Sequence, residues 1–381
     1  MANTKLGNAR MVKNDEFYTQ YNDIHQEMNA YAEFNPDVFR GKTILLPCDD
    51  PEWSNFTKFF IANFERFGIK KLISTSYAAE SKKIKEWSPT LFEMESPFFD
   101  ADKSRTNGKI FVLERDANDN RKIDIEDLEW HYMEGDGDFR SDEVKLLRDQ
   151  SDIIITNPPF SMFREFMSWI MESGKQFIVI GNLNAVSYKE IFPYIRDNRM
   201  WFGSSYFKGG AAYFIADSKA YDPEKMSNEK NAFFNEYGQF LWRVNGVRWY
   251  TNIDHGKRHD PIPLMSMDDN IMYSKHKEVK GKQYVKYENY DAIEVPFYDA
   301  IPKDYDGVMG VPKSFLDKYC PEQFAIVGIA EGDSGKELGL APYPRELKKL
   351  NNSLRDGQLY YIDEEGMPQK PFARILIRKK H

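Results

Sequence analysis

The tetrapeptide Asn157-Pro158-Pro159-Phe160 directly follows an apolar run at residues 153–155 and precedes a helical pattern. Ligands of open α/β sheets bind at the carboxyl ends of the strands. We therefore predict that these four residues lie at the ligand-binding edge of such a sheet. The alternative is a proline-rich strand exit with a core phenylalanine, although core packing does not require an asparagine at that position.

The chemistry that suits these residues is methyl transfer to a planar exocyclic amine, such as the amino group of adenine. The lone pair of this nitrogen is delocalised into the ring, so the nitrogen is a poor nucleophile. The Asn157 side-chain oxygen and the Pro158 backbone carbonyl can accept its two hydrogens and favour a pyramidal nitrogen, which attacks an electrophilic methyl group. The prolines fix the backbone and lack amide donors. Phe160 offers a stacking face to a base extruded from a duplex.

The chain resembles the adenine-N6 DNA methyltransferases that use S-adenosylmethionine, and it is most similar to their EcoRI-type branch. The resemblance covers residues 15–160 and thins out in the C-terminal third. It rests on three segments in the expected order: Asp15-Glu16-Phe17-Tyr18-Thr19, Cys48-Asp49-Asp50-Pro51 with Ser54-Asn55-Phe56, and the tetrapeptide at 157–160. This similarity implies that the tetrapeptide is the catalytic, base-binding motif and that the other two segments bind the cofactor.

The second of these segments also suits the charges of S-adenosylmethionine, whose methionine part carries an ammonium, a carboxylate and a sulfonium. The predicted cofactor loop begins with Pro47 and Cys48, at the end of the first strand. Either Asp49 or Asp50 can accept hydrogen bonds from the ammonium. The helix that starts near Ser54 can be capped by Ser54 or Asn55. Its first turn can offer N–H groups to the carboxylate.

The N-terminal segment Phe17, Tyr18 and Thr19 is predicted to close over the cofactor, with its aromatic rings near the sulfonium through cation-π attraction. The alternative for Phe17 and Tyr18 is a hydrophobic anchor before the helix that bears Ile24 and Met28. The family pattern favours the cofactor role.

The chain departs from the family pattern in two places. The loop at residues 47–53 contains no glycine, although a glycine-rich loop is usual there. The second strand ends in residues 74–77 without the acid that commonly holds the cofactor ribose. Further along, Asp138 and Phe139 resemble the acidic-aromatic pair that contacts the cofactor adenine. The neighbouring Gly-Asp repeats make a plain turn the alternative.

Short apolar runs alternate with helical patterns over the first half of the chain, which is typical of an α/β fold with a doubly wound sheet. Strands are predicted at residues 43–46, 72–75, 110–113, 152–156 and 176–180, with closing antiparallel strands within 211–216 and 240–250. The resemblance implies a Rossmann-like class I methyltransferase sheet, mostly parallel with an antiparallel closing strand. The helix after the first strand is predicted to present one apolar face, formed by Phe56, Phe59, Phe60, Phe64 and Phe67.

The length of 381 residues leaves room for a catalytic core and a substantial second module. After about residue 253 the composition shifts toward Pro, Tyr and Lys with short irregular strands. We therefore predict an S-adenosylmethionine-binding catalytic domain at residues 1–255 and a C-terminal DNA target-recognition module at residues 256–381.

The net charge of −8 argues against a protein that coats nucleic acid indiscriminately. Residues 341–381 nevertheless hold nine Lys and Arg against five Asp and Glu. We predict DNA contacts from this basic region and from the segment that opens the second module, at Lys257, Arg258, Arg374 and Arg378. The alternative is a solvated basic tail.

The remaining composition excludes several classes of protein. The two cysteines and the absence of zinc-like Cys/His spacing argue against a disulfide scaffold and a metal site. The sequence contains neither an apolar run long enough for a membrane helix nor a signal-peptide core, so we expect a cytoplasmic location and no membrane partner.

These observations and the resemblance predict a site-specific enzyme that transfers a methyl group from S-adenosylmethionine to N6 of an extruded adenine in double-stranded DNA. We expect direct in-line displacement, with catalysis from positioning and hydrogen bonding. Two other interpretations remain open, a methyltransferase acting on RNA or a protein amide and a DNA-binding module without catalysis. The resemblance also leaves open whether a cognate restriction endonuclease acts separately on the same site.

Overall fold

The computed structural model describes residues 18–50, 54–78, 89, 91–115, 123–207, 211–214, 232–234 and 240–380. The chain divides into two compact units. The first comprises Met1–Asn182 and Gly203–His255, and the second comprises Leu183–Phe202 and Gly256–His381. The division predicted at residue 255 placed residues 183–202 in the first domain. In the structure these residues belong to the second unit.

Helices and strands alternate along the first unit. Its strands are β1 (Tyr18–Thr19), β2 (Thr43–Leu46), β3 (Lys71–Ser76), β4 (Lys109–Leu113), β5 (Glu129–Tyr132), β6 (Ile153–Thr156), β7 (Gln176–Asn182), β8 (Trp201–Tyr206), β9 (Ala211–Phe214), β10 (Ala232–Phe234), β11 (Phe240–Val244) and β12 (Val247–Thr251). The first two residues of β8, Trp201 and Phe202, belong to the second unit. Its helices are α1 (Tyr21–Phe34), α2 (Asn55–Ala62), α3 (Phe64–Phe67), α4 (Leu91–Met94), α5 (Lys103–Thr106), α6 (Asp142–Gln150) and α7 (Phe163–Ser173). Short 3₁₀ turns are formed by Ile125–Asp127 and Phe160–Met162.

A large mixed sheet with the strand order β5-β4-β3-β2-β6-β7-β12-β8 forms the centre of the described first unit. Strands β3, β2, β6 and β7 are mutually parallel, and β12 pairs antiparallel with β7. Strands β2 and β6 are buried along their whole length, as expected for parallel strands covered on both faces. The predicted α/β, Rossmann-like sheet with an antiparallel closing strand is confirmed.

Three strands differ from the prediction. Strand β4 pairs antiparallel with both β3 and β5. The sequence did not predict this direction, because the apolar pattern that locates a strand carries no information about which way the strand runs. Strands β9 and β11 lie in a separate antiparallel sheet of order β1-β9-β11-β10, so they do not close the large sheet. Of the predicted closing segments, only the part that forms β12 enters the large sheet, between β7 and β8. Strand β12 follows a turn at Asn245-Gly246, where Gly246 has φ +75°.

The predicted apolar face of α2 and α3 is confirmed. Its five phenylalanines are all buried, and the Phe59 and Phe60 rings meet edge to face with centroids 5.3 Å apart. Burying each such ring stabilises the fold by about 1.5–3 kcal/mol. The predicted cap is also present, because Ser54 Oγ accepts a hydrogen bond from Phe56 N at 3.1 Å. The start of α2 is therefore fixed beside the end of β2.

A buried carboxylate attaches α1 to strand β8. Glu27 accepts hydrogen bonds from Ser204 N at 2.9 Å, from Ser205 N at 2.6 Å and from Tyr31 OH at 2.8 Å. Burial raises the pKa of Glu27, although these hydrogen bonds act in the opposite direction. Gly203 provides the space that this carboxylate occupies, since an added Cβ would overlap Glu27 Oε1 and the Trp249 side chain.

The second unit contains a smaller sheet of order β13-β14-β18-β15 and a two-stranded hairpin. Its strands are β13 (Ala292–Glu294), β14 (Val308–Pro312), β15 (Phe324–Ala330), β16 (Tyr361–Ile362), β17 (Pro368–Gln369) and β18 (Arg374–Lys379). Its helices are α8 (Phe192–Arg196), α9 (Met267–Tyr273), α10 (Gly332–Glu337) and α11 (Arg345–Leu350), with 3₁₀ turns at Leu183–Ser187, Gly256–His259, Tyr298–Ala300 and Lys313–Lys318. Among the described ranges, no helix is long and apolar enough to span a membrane.

We expect Gly203→Ala to reduce the free energy of unfolding by about 1–3 kcal/mol, because the new methyl group overlaps the Glu27 carboxylate and the Trp249 side chain. Urea unfolding followed by circular dichroism measures this loss. Gly135→Ala is the matched control, since open space surrounds the Cβ position there. Equal stability of the Gly203 variant and the control would contradict the described packing.

Candidate functional site

The ends of strands β2 and β6 are joined through the carboxylate of Asp49. This side chain is only 5% exposed. Its Oδ1 accepts a hydrogen bond from Ser54 Oγ at 2.7 Å, and its Oδ2 accepts one from Thr156 Oγ1 at 2.5 Å. Thr156 Oγ1 also lies 2.5 Å from the carbonyl oxygen of Pro47. The predicted cofactor loop and the strand that carries the tetrapeptide are thus in direct contact.

The backbone of the same loop is attached to β3 and α2. The carbonyl oxygen of Asp49 accepts hydrogen bonds from Thr57 Oγ1 at 3.0 Å and from Ser74 Oγ. Cys48 N donates to Thr75 Oγ1 at 3.3 Å. Cys48 has φ +70°, a conformation that glycine adopts most readily. The loop therefore contains a left-handed residue although it has no glycine.

The tetrapeptide lies at the carboxyl end of β6, as predicted. Pro158 is buried, whereas Asn157, Pro159 and Phe160 are half-buried. Phe160 opens the 3₁₀ turn that leads into α7, and its ring packs against the edge of the main core. Asn157 directly follows Thr156, whose hydroxyl contacts Asp49 in the predicted cofactor loop.

The N-terminal segment lies against the start of α2. Asn55 Nδ2 donates a hydrogen bond to the carbonyl oxygen of Thr19 at 2.7 Å, and β1 pairs with β9 through Tyr18 and Thr19. Thr19 is 3% exposed, and its Oγ1 has no hydrogen-bond partner among the residues that the structure describes. A buried hydroxyl of this kind suits a polar ligand. Phe17 lies outside the described residues.

The two acids of the loop differ in their surroundings. Asp49 is engaged by the two hydroxyls described above, whereas Asp50 is half-buried. Burial lowers the pKa of Lys58, and the nearby Asp50 carboxylate acts in the opposite direction. Asp50 is therefore close to the Lys58 ammonium of α2. It is the less buried of the two acids predicted to accept hydrogen bonds from the cofactor ammonium.

Asp138 and Phe139 form a packed turn beside the carboxyl end of β3, where Ala78 N donates to Asp136 O at 2.7 Å. The Asp138 carboxylate receives two hydrogen bonds from Arg140, at 2.9 and 2.6 Å, and the hydrogen bond with Arg140 lowers the pKa of Asp138. Phe139 is buried, with its ring 5.0 Å from that of Phe166. The position suits the predicted adenine contact, but both side chains already have partners within the chain, as expected for the turn alternative.

The four basic residues predicted to contact DNA separate into two pairs. Lys257 and Arg378 are exposed. Arg258 is buried, with its guanidinium 3.5 Å above the Trp201 ring and its Nη2 2.5 Å from Asn198 Oδ1. This placement argues against a phosphate contact by Arg258, because its cation is occupied inside the second unit.

Arg374 is likewise buried, at 9% exposure, and it forms a forked ion pair with Glu294. Its Nη2 lies 2.5 Å from Oε1, and its Nε lies 3.0 and 3.1 Å from the two carboxylate oxygens. Burial acts to lower the pKa of Arg374, but the hydrogen bonds and charge of Glu294 hold that pKa above its usual value. The structure therefore gives Arg374 an internal role in place of the predicted DNA contact.

Four hydroxyl residues around the loop were absent from the sequence-based site, namely Thr57, Ser74, Thr75 and Thr156. A fifth, Ser54, belongs to the second predicted segment, but its hydrogen bond to Asp49 was not predicted. The available signal was the run of small hydroxyl residues that ends β3 and the threonine that ends an otherwise purely isoleucine strand. Such residues at strand ends can satisfy the backbone of an adjoining loop.

Comparison with known proteins covers nearly the whole chain. The family described as adenine-specific methyltransferase EcoRI matches residues 5–380. The chain is 36% identical over 353 residues to the type II methyltransferase M.EcoRI of Escherichia coli, which covers 91% of this chain and 96% of that protein. No solved structure gives a significant match.

Two mycoplasma proteins are also similar. The type II methyltransferase M.MgeORF184P of Mycoplasma genitalium is 34% identical over 320 residues, covering 84% of each chain. The type II methyltransferase M.MpnI of Mycoplasma pneumoniae is 31% identical over 319 residues, covering 84% of this chain and 83% of its own. The similarity therefore extends well beyond the segments at residues 15–160.

We expect Arg374→Ala to lower the free energy of unfolding of the second unit by about 3–5 kcal/mol, because it leaves the Glu294 carboxylate buried without its partner. Thermal and urea unfolding measure this loss. Arg378→Ala, on the same strand but exposed, is the control and is expected to change stability by no more than about 0.5 kcal/mol. A fully stable Arg374 variant would contradict the internal role.

Proposed function

The chain belongs to the family of EcoRI adenine-specific methyltransferases, and from this we propose that its catalytic centre lies where β6 meets the loop after β2. The protein is a site-specific DNA methyltransferase that acts on adenine. The observation that carries the location is the Thr156–Asp49 hydrogen bond, which brings the base-binding tetrapeptide beside the cofactor loop.

In this centre, Asn157 and Pro158 bind the amino group of the extruded adenine. The Asn157 side-chain oxygen and the Pro158 carbonyl each accept one N–H, which orients the nitrogen lone pair and favours the pyramidal geometry of the attacking atom. Pro159 holds the backbone so that no amide donor competes, and Phe160 stacks on the base. Positioning and acceptor hydrogen bonds are thus the protein's contribution to the reaction.

The cofactor we propose is S-adenosylmethionine, which supplies a methyl group activated by the adjoining sulfonium. The buried Thr19 hydroxyl, which has no partner within the described residues, fits a polar atom of such a ligand. We assign its ammonium to Asp50, because each oxygen of the Asp49 carboxylate already accepts a hydrogen bond from the chain. Both residues are attached to the start of α2, because Thr19 O accepts a hydrogen bond from Asn55 Nδ2 and Asp50 O accepts one from Ser54 N, each at 2.7 Å.

We propose that the second unit reads the DNA sequence. Lys257 and Arg378 are exposed and can contact phosphates, which position a protein on the duplex without selecting bases. Arg258 and Arg374 support the fold of this unit through Trp201 and Glu294. The relatives are named type II methyltransferases, so a restriction endonuclease that acts separately on the same site is the expected functional partner.

DNA adenine is favoured over the other predicted substrates. The family description specifies adenine, and its match extends to residue 380, through the proposed recognition unit. Transfer of tritium from labelled S-adenosylmethionine to duplex DNA, but not to RNA or protein, is the direct test of substrate class. Sequencing of methylated DNA from cells that express the protein would then identify the recognised site.

We expect Asn157→Ala to reduce methyl transfer at least about 100-fold, because it removes one of the two acceptors for the adenine amino group. Tritium transfer to duplex DNA measures the rate, and calorimetric titration is expected to give a cofactor dissociation constant within about threefold of the wild type. Asn35→Ala, at an exposed position after α1, is the control. Normal turnover by the Asn157 variant would exclude this residue from catalysis.

We expect Lys257→Ala and Arg378→Ala each to weaken DNA binding at all sequences and to reduce the slope of log affinity against log salt by about 1. Fluorescence anisotropy at several salt concentrations provides the slopes. Arg40→Ala is the control, because Arg40 is an exposed arginine of the first unit that pairs with Asp37 at 2.6 Å. Unchanged slopes for both variants would remove these residues from the proposed DNA contact.

A further inference from the structure

We propose that Asp49 and Thr156 are positioning residues, and that their hydrogen bond sets the position of Asn157 relative to the bound methyl donor. This inference rests on the proposed function, since it assumes that Asn157 binds the base. It assigns to Asp49 a role different from the predicted binding of the cofactor ammonium. It also adds Thr156 and Ser54 to the residues on which the reaction depends.

Thr156 connects the loop after β2 to the tetrapeptide through its position in the chain. This residue ends β6, and its neighbour Asn157 begins the tetrapeptide. The Thr156 hydroxyl is fully buried and lies 2.5 Å from both Asp49 Oδ2 and Pro47 O. A displacement of the cofactor loop therefore acts directly on Thr156, and Thr156 is joined to Asn157 by a single peptide bond.

The other oxygen of the Asp49 carboxylate connects to the start of α2. Asp49 Oδ1 accepts from Ser54 Oγ at 2.7 Å, and Ser54 Oγ accepts from Phe56 N at 3.1 Å. A continuous series of hydrogen bonds thus runs from the N-terminus of α2 through Ser54 and Asp49 to Thr156. The Asp49 carboxylate thus joins α2, which follows the proposed cofactor loop, to β6, which carries the base-binding motif.

Burial makes these hydrogen bonds difficult to replace by water. Ser54 is 1% exposed, Asp49 is 5% exposed, and Thr156 is fully buried. Hydrogen bonds to a charged acceptor are stronger than neutral ones, and removing one partner leaves the buried carboxylate poorly solvated. The backbone carbonyl of Asp49 is held separately by Thr57 and Ser74, so the loop has two independent attachments.

The two sides of the carboxylate predict different kinetic effects. Thr156→Val removes the donor on the base side while preserving side-chain size, so we expect kcat to fall at least about 10-fold with KM for S-adenosylmethionine changed less than about threefold. Thr156→Ser, which retains the hydroxyl, is expected to restore most of the rate. Ser54→Ala removes the donor on the cofactor side, so its main expected effect is a higher KM for the cofactor.

A matched control distinguishes positioning from a general loss of stability. Thr251 is also fully buried, and its Oγ1 donates to the carbonyl of Phe177 at 2.7 Å, within the same sheet but away from the loop. Thr251→Val is expected to lower the melting temperature to a similar extent while leaving kcat within about twofold of the wild type. An equal loss of kcat in the Thr251 and Thr156 variants would overturn the proposal.

A double-mutant cycle tests the link through Asp49. If the hydroxyl acts through this carboxylate, Thr156→Val will have little further effect on kcat in the background of Asp49→Asn, so the two changes will be strongly non-additive. Additive effects, or normal kcat in Thr156→Val, would overturn the proposal. Asn157→Ala is measured in parallel: retained activity there refutes base binding by Asn157, whereas loss there with normal Thr156→Val refutes only the positioning role.

Discussion

The buried carboxylate of Asp49 is the interaction on which the arrangement of the site depends. A charge with so little access to water is tolerated only when donors surround it. Here the donors are Ser54 at the start of α2 and Thr156 at the end of β6, which lies 107 residues further along the chain. The hydrogen bonds to this one carboxylate therefore bring together the loop after β2, the start of α2 and the end of β6.

The parallel centre of the large sheet makes this convergence possible. Strands β3, β2 and β6 run in the same direction, so their carboxyl ends lie along one edge, where each strand contributes a hydroxyl residue or a loop. These hydroxyls hold the loop after β2, and Cys48 adopts the left-handed backbone for which other loops use glycine. Side-chain hydrogen bonds thus hold the predicted cofactor loop, which contains no glycine.

The basic residues of the second unit show why charge alone does not identify a binding surface. Arg374 and Arg378 lie on the same strand, yet the first is buried on Glu294 and the second is exposed. Arg258 stacks on Trp201 while its neighbour Lys257 is exposed. A guanidinium can satisfy a buried carboxylate or lie on an aromatic ring as well as it can bind a phosphate, so the partner decides its role.

Local pattern determined much of this protein. The spacing of the phenylalanines predicted the buried face of α2, Ser54 predicted its cap, and the apolar run before Asn157 predicted the strand end that carries the tetrapeptide, because each depends on neighbouring residues. The direction of β4, the separate sheet that contains β9 and β11, the burial of two arginines and the partners of Asp49 were decided by tertiary structure. Each of these depends on residues distant in the chain, whose pairing follows from how the whole unit buries its surface and satisfies its charges.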